Sequence, residues 1–360
     1  MTVHIRADLD AIPGYVPGRT VPGAIKLASN ETTLGPLPSV AAAVAAAVAE
    51  ANRYPDNRSA ELAAALADRL DVAPEQVGVG CGSVALGQEL VQITCSAPTD
   101  EVVFAWRSFE AYPIITRVAG AHAVPVPLTA DQVHDLPAMA AAITPNTRLV
   151  FVCNPNNPTG TAVGRAALER FLDQVPPEVL VVLDEAYFEF LRLPADTAPD
   201  GIALGRDRPN VVVLRTFSKA YGLAGLRVGY AVGDSAVIAA LGKVRIPFGV
   251  NRAGQAAALA SLAAEPELLA RTDVVVAERN RVRTALRDAG YEVPPTEANF
   301  VWLPLHAGSA EFAAAAAAAG VLLRPYGADG VRVTIGDRAD NDAFIEFATA
   351  HRALTGDRQH

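Results

Sequence analysis

The sequence has very little lysine, and this shortage narrows the chemistry that the chain can perform. Of its 30 basic residues, only Lys26, Lys219 and Lys243 are lysines. Any reaction that needs a primary amine must therefore use one of these three side chains. Cysteine is also scarce: the three cysteines are too few for a disulfide framework and form no CxxC pair that would indicate zinc. We expect a reduced, cytoplasmic protein without a metal site.

Long hydrophobic runs and a net positive charge are also missing. No run of 18 uncharged apolar residues occurs, so we expect no membrane-spanning helix. The first residues, MTVHIRADLDAIPGY, lack the apolar segment of a signal peptide. The formal net charge of -9 argues against a nucleic-acid-binding surface, which needs a basic face. Small molecules are the expected partners.

The order of the predicted elements indicates an α/β fold. Hydrophobic residues make up 51% of the chain, which is enough for a sizeable core. Short β-branched runs alternate with helical stretches from about residue 77 to 232, a pattern typical of a mainly parallel sheet flanked by helices. The last third predicts a long helical region followed by further strands and helices, which suggests a smaller α+β domain. We expect a large domain at 36–248, and a small domain formed by the N-terminal arm 1–35 together with 249–360.

Ligands of open parallel sheets bind beyond the carboxyl ends of the strands, so the residues that follow each strand are informative. The strand predicted at 77–79 is followed by GCGS, which contains Gly82 and Ser83, and then by a helical pattern. Free amides at a helix start, next to glycines, bind phosphate well. A plain glycine turn is the alternative, and a dinucleotide-binding loop is a weaker one because GVGCGS is not GxGxxG.

Three further strand ends carry aromatic, amide and acidic side chains. WRSFEAY offers Phe109, whose ring either stacks on a flat cofactor or packs in the core. NPNNPTG is a rigid loop that presents the amide of Asn157, or else an ordinary turn. In DEAY, Asp184 follows an apolar strand and needs a partner such as a pyridinium nitrogen, unless it caps a helix. Tyr187 would reach the same ligand.

The stretch RTFSKAYGLAGLRVGY is the most informative of all. Lys219 closely follows the strand predicted at 210–214, and Thr216, Ser218 and Arg227 are spaced around it. Two hydroxyls and a guanidinium suit a phosphate, while the amine suits a carbonyl carbon. A solvated surface lysine is the alternative.

The motifs GCGS, NPNNPTG, DEAY and TFSKAYGLAGLRVGY stand in the order and spacing of the pyridoxal-phosphate-dependent aminotransferases of fold type I. The resemblance covers almost the whole chain. It is strongest to the class II branch that contains the histidinol-phosphate and aromatic amino-acid aminotransferases. It implies the PLP-transferase fold and pyridoxal 5'-phosphate (PLP) as the cofactor.

The resemblance also implies a role for each matching residue around the cofactor ring. Lys219 resembles the Schiff-base lysine, and Asp184 the carboxylate that pairs with the pyridine nitrogen. Tyr187 and Asn157 would contact the ring hydroxyl. Phe109 occupies a stacking position that is often tyrosine in this family.

Further implied roles concern the two anionic groups, the cofactor phosphate and the substrate carboxylate. The residues expected at the phosphate are Gly82, Ser83, Ser218 and Arg227, with Thr216 beside them. Tyr54, in NRYPD, resembles a tyrosine that a neighbouring subunit donates to the phosphate, so we expect a homodimer. Arg332, in VRVTIG, resembles the arginine that binds the substrate α-carboxylate.

Three more residues bear on the choice of substrate. Arg324, in VLLRPY, matches an arginine that binds the substrate phosphate in histidinol-phosphate enzymes. Phe248 stands where those enzymes have a phosphate-binding tyrosine, and Tyr15 matches a segment that covers the substrate. Because the hydroxyl is missing at position 248, we expect phenylalanine and tyrosine as amino donors and 2-oxoglutarate as acceptor. Histidinol phosphate is the alternative donor.

Functions of other classes make different predictions. Fold-type I enzymes also catalyse decarboxylation, aldol cleavage and β-elimination, which would not require a 2-oxo acid. A PLP-binding transcriptional regulator needs an additional basic domain. A nucleotide-dependent dehydrogenase would bind NADH and tolerate Lys219→Ala.

Overall fold

The computed structural model describes residues 3–12, 14 and 18–355. Its strands are β1 (Ile25–Lys26), β2 (Val77–Gly80), β3 (Glu101–Trp106), β4 (His122–Pro127), β5 (Thr147–Cys153), β6 (Leu180–Asp184), β7 (Val211–Thr216), β8 (Gly229–Val232), β9 (Phe300–Leu303), β10 (Val321–Leu322), β11 (Arg324–Pro325) and β12 (Val331–Thr334).

Helices alternate with these strands along most of the chain. The α-helices are α1 (Pro38–Val48), α2 (Ala60–Leu70), α3 (Ser83–Thr94), α4 (Ala111–Val118), α5 (Leu136–Ala141), α6 (Arg165–Leu172), α7 (Gly201–Gly205), α8 (Ser235–Val244), α9 (Arg252–Ala263), α10 (Glu265–Asp288), α11 (Ser309–Ala318) and α12 (Arg338–Ala350). Short 3₁₀ helices lie at Ala7–Ala11, Pro74–Gln76, Phe188–Phe190, Ala224–Leu226, His306–Gly308 and Arg352–Thr355. Among the described residues, no helix has the length and apolar character needed to cross a membrane.

The predicted α/β fold is confirmed by a seven-stranded sheet. Its strand order is β2-β8-β7-β6-β5-β3-β4. All neighbours are parallel except β8, which runs antiparallel to both β2 and β7. A three-stranded antiparallel sheet, β11-β12-β9, forms the centre of the C-terminal part, and β1 pairs with β10.

The apolar strands explain why this sheet lies inside the molecule. Neighbouring residues of a strand point to opposite faces, so an unbroken apolar run feeds two cores at once. In β6, Val181 belongs to one buried cluster and Val182 to another. A separate core, which includes Leu27 from the N-terminal part, surrounds β9 and β12. The predicted domain boundaries near residues 35 and 248 remain a prediction.

Three details differ from the sequence-based expectations. Strand β4 was not predicted from the sequence; it contains Pro125 and Pro127, which lack the donor that a central strand needs, and it lies at the edge of the sheet, where this lack is tolerated. The run SVAAAVAAAVAEAN at 39–52 predicts a helix with Ser39 as its N-cap, but helix α1 begins at Pro38 with Leu37 in the N-cap position, because proline suits the first helical turn. The long helical region divides at Ala264 into α9 and α10.

Arg279 connects α10 to two other segments inside the protein. Its side chain is only 2% exposed, and Nη1 donates to the carbonyl oxygens of Phe190 and Ala298, each at 3.1 Å. Nη2 lies 3.4 Å from the Glu297 carboxylate. Burial lowers the pKa of Arg279, so the carboxylate and the carbonyls are needed to stabilise its charge.

We predict that Arg279→Ala lowers the free energy of unfolding by about 3–5 kcal/mol, because it leaves two buried carbonyl oxygens without their donor and removes the counter-ion of the Glu297 carboxylate. Urea unfolding followed by circular dichroism measures this. Arg287→Ala, at an exposed position of the same helix, is the matched control and should change stability by less than about 0.5 kcal/mol. Equal losses in the two variants would contradict the structural role of Arg279.

Candidate active site

A cavity of about 380 Å³ lies where β5, β6 and β7 end. This edge of a parallel sheet is where ligands bind in open α/β folds. The residues predicted from the sequence that line it are Ser83, Phe109, Asn157, Asp184, Tyr187, Thr216, Ser218, Lys219, Arg227, Arg324 and Arg332. The cavity thus brings together side chains from both the large sheet and the C-terminal sheet.

A larger cavity, of about 640 Å³, lies between α2, the first turns of α10 and residues 188–200. Several of its charged residues already form pairs, as in the ion pair of Arg69 with Glu265. Lys219 and Asp184 do not line it. We therefore assign the chemistry to the smaller cavity at the strand ends, where the reactive groups are.

Lys219 lies in the turn that follows β7, and its Nζ donates to the carbonyl oxygen of Ser29 at 3.1 Å. Burial lowers the pKa of Lys219 to about 7, and the nearby guanidinium groups of Arg332 and Arg227 contribute to the same shift. Glu31 acts in the opposite direction. A substantial fraction of this amine is therefore neutral at pH 7, which makes it a competent nucleophile and base.

Asp184 is the last residue of β6 and is buried at the floor of the cavity. Its Oδ2 accepts a hydrogen bond from the Tyr112 hydroxyl at 2.7 Å, and its Oδ1 accepts one from the Ala186 amide at 3.2 Å. Burial raises the pKa of Asp184, while the two hydrogen bonds oppose that shift. A cationic partner would stabilise this carboxylate, because its present donors are neutral.

Sequence reasoning assigned no such role to Tyr112. Its ring is stacked on Phe151, with the centroids 4.3 Å apart, so that the hydroxyl is held towards Asp184. Desolvation raises the pKa of Tyr112 well above its ordinary value, so this hydroxyl is a donor at all physiological pH values. The spacing of WRSFEAY gave no signal for this contact, because residues 112 and 184 meet only in the folded chain.

Tyr187 and Asn157 approach the cavity from two neighbouring loops. The Tyr187 hydroxyl accepts a hydrogen bond from Nδ2 of Asn30 at 2.8 Å, and Oδ1 of Asn30 accepts one from Thr334 at 3.0 Å. Oδ1 of Asn157 accepts one from Arg332 at 2.5 Å. Asn30 was not recognised from the sequence, although it fixes the position of Tyr187.

Arg332 extends from β12 and is buried. Besides Asn157, its guanidinium donates to the Tyr326 hydroxyl and to the Ala28 carbonyl oxygen, both at 2.8 Å. Within the described part of the chain, its buried Nε has no acceptor. A carboxylate, which a guanidinium binds in a bidentate manner, matches this donor chemistry.

The residues predicted to hold a phosphate lie together at the start of α3. Ser83 is its first residue, and Nη1 of Arg227 donates to the Ser218 hydroxyl at 3.2 Å. Gly82 has a φ of +82°, and a Cβ there would lie 2.5 Å from Nη2 of Arg227. The Thr216 hydroxyl accepts from the Ser218 amide at 3.1 Å. Helix amides, hydroxyls and a guanidinium make a suitable anion site.

The absence of a side chain at Gly229 keeps this anion site open. A Cβ on Gly229 would lie 2.6 Å from the backbone nitrogen of Ser83, which is too close for any side chain. Glycine at position 229 therefore allows β8 to approach the start of α3 more closely than any other residue would.

Two further predicted residues line the outer part of the cavity. Phe109 meets the edge of Tyr112, with ring centroids 5.6 Å apart. Arg324 forms an ion pair with Glu110, in which Nη2 and Oε2 are 2.8 Å apart. Phe109 is thus placed to cover a flat ligand, and Arg324 brings a positive charge that is partly neutralised by its neighbour.

The structure does not bring Tyr54 and Phe248 into the cavity of their own chain. Their rings stack on each other, with centroids 4.5 Å apart. Tyr54 is 78% exposed and Phe248 is 41% exposed. Tyr15 lies outside the described residues.

We predict that the lowered pKa of Lys219 makes stability depend on pH in the protein stripped of the expected cofactor. Between pH 7 and 10.5 the unfolded chain binds a proton that the folded chain does not, so the free energy of unfolding should rise with pH in this window. Lys219→Met removes this contribution. The variant should therefore be more stable than the wild type at pH 7. Urea unfolding at pH 7 and pH 9.5 should show that this difference in the free energy of unfolding is smaller at the higher pH.

The exposed Lys243 provides the control, because Lys243→Met should leave the pH dependence of the wild type unchanged. If the difference between wild type and Lys219→Met were the same at both pH values, the amine would not have a lowered pKa in the folded protein.

The family model described as aminotransferase class I and II matches residues 22–347. A protein from Nocardia farcinica named aromatic amino acid aminotransferase is 69% identical over 348 residues, covering 97% of this chain and 97% of that protein. A protein of the same name from Rhodococcus jostii is 70% identical over 353 residues, covering 98% of this chain and 97% of that protein.

Solved structures agree with this assignment. The histidinol-phosphate aminotransferase from Sinorhizobium meliloti, in complex with pyridoxal-5'-phosphate, has a TM-score of 0.83 to this chain at 32% sequence identity. The match covers 92% of this chain and 91% of that one. The resemblance that the four motifs indicated is thereby confirmed, and the chain belongs to the class I and II aminotransferase family.

Proposed function

We propose that this protein transfers the amino group of an aromatic amino acid, phenylalanine or tyrosine, to 2-oxoglutarate. The observation that carries the proposal is that one cavity holds the lysine amine of lowered pKa and the buried guanidinium of Arg332. An amine for the cofactor and a guanidinium for an α-carboxylate are what an amino-acid transaminase needs. The relatives named aromatic amino acid aminotransferase support the aromatic donor.

The cofactor is pyridoxal 5'-phosphate, as the family and the PLP-containing relative indicate. The residues present fit each of its groups. The cluster at the start of α3 suits the phosphate, and the buried carboxylate of Asp184 suits a protonated ring nitrogen. The amine of Lys219 suits the aldehyde carbon.

When bound, PLP withdraws electrons from the substrate Cα and so makes its proton removable. We propose that Asp184, oriented by the Tyr112 hydroxyl, keeps the ring nitrogen protonated. Asn157 and Tyr187 would contact the ring hydroxyl, and Phe109 would pack on the ring face. Gly82, Ser83, Ser218 and Arg227 would hold the phosphate, with Thr216 supporting Ser218.

Lys219 is the proposed base and acid of the reaction. Its neutral amine would take up the proton of the substrate Cα, and the resulting ammonium would deliver that proton to C4′ of the cofactor. The Arg332 guanidinium holds the substrate α-carboxylate, so that the Cα proton faces Lys219. Both Arg332 and Arg227 favour the neutral amine electrostatically, which prepares Lys219 for the first of these two steps.

The choice of donor depends on the outer part of the site. Arg324 lines the cavity and favours histidinol phosphate as a second candidate donor, which the likeness to a histidinol-phosphate aminotransferase also supports. Against it, Glu110 partly neutralises Arg324, and Phe248 offers no hydroxyl to a phosphate. We propose a homodimer in which the exposed rings of Tyr54 and Phe248 face the cavity of the second subunit, while Tyr15 covers the substrate.

The proposed function predicts a clear order of donors. With 2-oxoglutarate as acceptor, phenylalanine and tyrosine should give a kcat/KM at least about tenfold above that of histidinol phosphate. Steady-state assays with the purified protein measure this, and Lys219→Ala provides the blank, with turnover reduced by about 10²–10⁴-fold or more. A preference for histidinol phosphate would contradict the proposal of an aromatic donor. Turnover without any 2-oxo acid would show that the reaction is not a transamination.

Phe248→Tyr tests whether the missing hydroxyl at position 248 determines the choice of amino donor. A hydroxyl that donates to a phosphate is worth about 1.5–3 kcal/mol, so kcat/KM for histidinol phosphate should rise by about tenfold or more. Turnover of phenylalanine should stay within about twofold, since its ring offers no acceptor. Unchanged turnover of histidinol phosphate would show that position 248 does not select the donor.

A further inference from the structure

Arg324 lies in the wall between two cavities. It lines the catalytic cavity and also a neighbouring one of about 480 Å³, whose surface includes Glu110 and the apolar side chains of Phe104, Trp106 and Pro113. The Arg324 side chain is 11% exposed and that of Glu110 is 28% exposed. Their ion pair is therefore partly removed from water, where a charge acts over a longer range than on an open surface.

The position of Arg324 in the sheet relates it directly to the substrate. In the pairing of β11 with β12, Arg324 is the partner of Arg332. Side chains at paired positions lie on the same face of a sheet, with Cβ atoms about 5 Å apart. A donor whose α-carboxylate is bound by Arg332 is therefore within reach of Arg324, which lines the same cavity.

Glu110 reaches the same place from the large sheet, shortly after the end of β3. It follows Phe109, which lines the catalytic cavity, and immediately precedes α4. Its Oε2 accepts a hydrogen bond from Nη2 of Arg324. A donor phosphate that approaches Arg324 would have to share the guanidinium with this carboxylate and would be repelled by its negative charge. An uncharged aromatic ring meets neither obstacle.

We propose that Glu110 is a specificity-determining residue: acting through Arg324, its carboxylate disfavours amino donors that carry a phosphate and thereby favours aromatic ones. This inference rests on the proposed transaminase function and identifies the group that sets its donor preference. The selection works by repulsion of the wrong substrate rather than by an additional attraction to the right one.

The test compares the holoenzyme with Glu110→Gln, which keeps the shape of the side chain and removes its charge. The ratio of kcat/KM for histidinol phosphate to that for phenylalanine should rise by about 10- to 100-fold, since the repulsion between like charges in an interface costs that much or more. The rise should come mainly from a lower KM for histidinol phosphate. The kcat for phenylalanine should change by less than about threefold.

Four variants separate this role from a general effect of charge or folding. Glu110→Asp retains the carboxylate and should keep the wild-type ratio. Asp329→Asn removes the carboxylate of a nearby pair, that of Arg107 with Asp329, and should also leave the ratio unchanged. Arg324→Gln, added to Glu110→Gln, should abolish the gain, because the two residues act as one unit. Glu110→Ser repeats the test with a second neutral side chain, and the melting temperature of each variant reports its folding.

A ratio that stays within about twofold in folded Glu110→Gln and Glu110→Ser would overturn the inference, as would an equal rise in Asp329→Asn. These outcomes do not depend on which donor the wild type prefers. A wild type that prefers histidinol phosphate contradicts the proposed function, whereas the role of Glu110 is decided by the change between wild type and variant.

Discussion

The arrangement of the site depends on one buried guanidinium. Arg332 belongs to the C-terminal sheet, yet it donates to Asn157 in the loop after β5 and to the backbone of Ala28 in the N-terminal part. Burying this charge is costly unless its donors are satisfied, so the three segments are held together at this point. The same side chain stands beside Lys219, which couples the relative position of the two sheets to the electrostatics of the amine.

Burial in the cavity shifts the pKa values of Lys219 and Asp184 in opposite directions, and for the same physical reason. Burial disfavours the charged form of any group, so the pKa of Lys219 falls while that of Asp184 rises. The hydrogen bonds from Tyr112 and the Ala186 amide limit the shift of Asp184. The result is an amine that is partly neutral at pH 7, in the same cavity as a carboxylate that a cation would stabilise.

Much of the fold could be read from the sequence, because both faces of the large sheet are buried and its strands therefore appear as unbroken apolar runs. The antiparallel direction of β8 and the edge strand β4 could not be read in this way. Strand direction depends on how the connecting segments cross the sheet, and β4 contains prolines that argue against a strand wherever its place in the sheet is unknown. The division of the C-terminal helical region at Ala264 is likewise a matter of tertiary packing.

The sequence by itself determined which chemical groups the site contains, since the motifs place Lys219, Asp184 and Arg227 directly after or near strand ends that must meet at one edge of a parallel sheet. Only the tertiary structure decided which hydrogen-bond and ion-pair partners those groups have and how their pKa values are shifted. Tyr112 is 72 positions from Asp184, Asn30 is 157 from Tyr187, and Glu110 is 214 from Arg324. Contacts between residues so far apart leave no local pattern in the chain. They exist because folding brings separate segments to one cavity, where burial makes each remaining charge and hydrogen bond count.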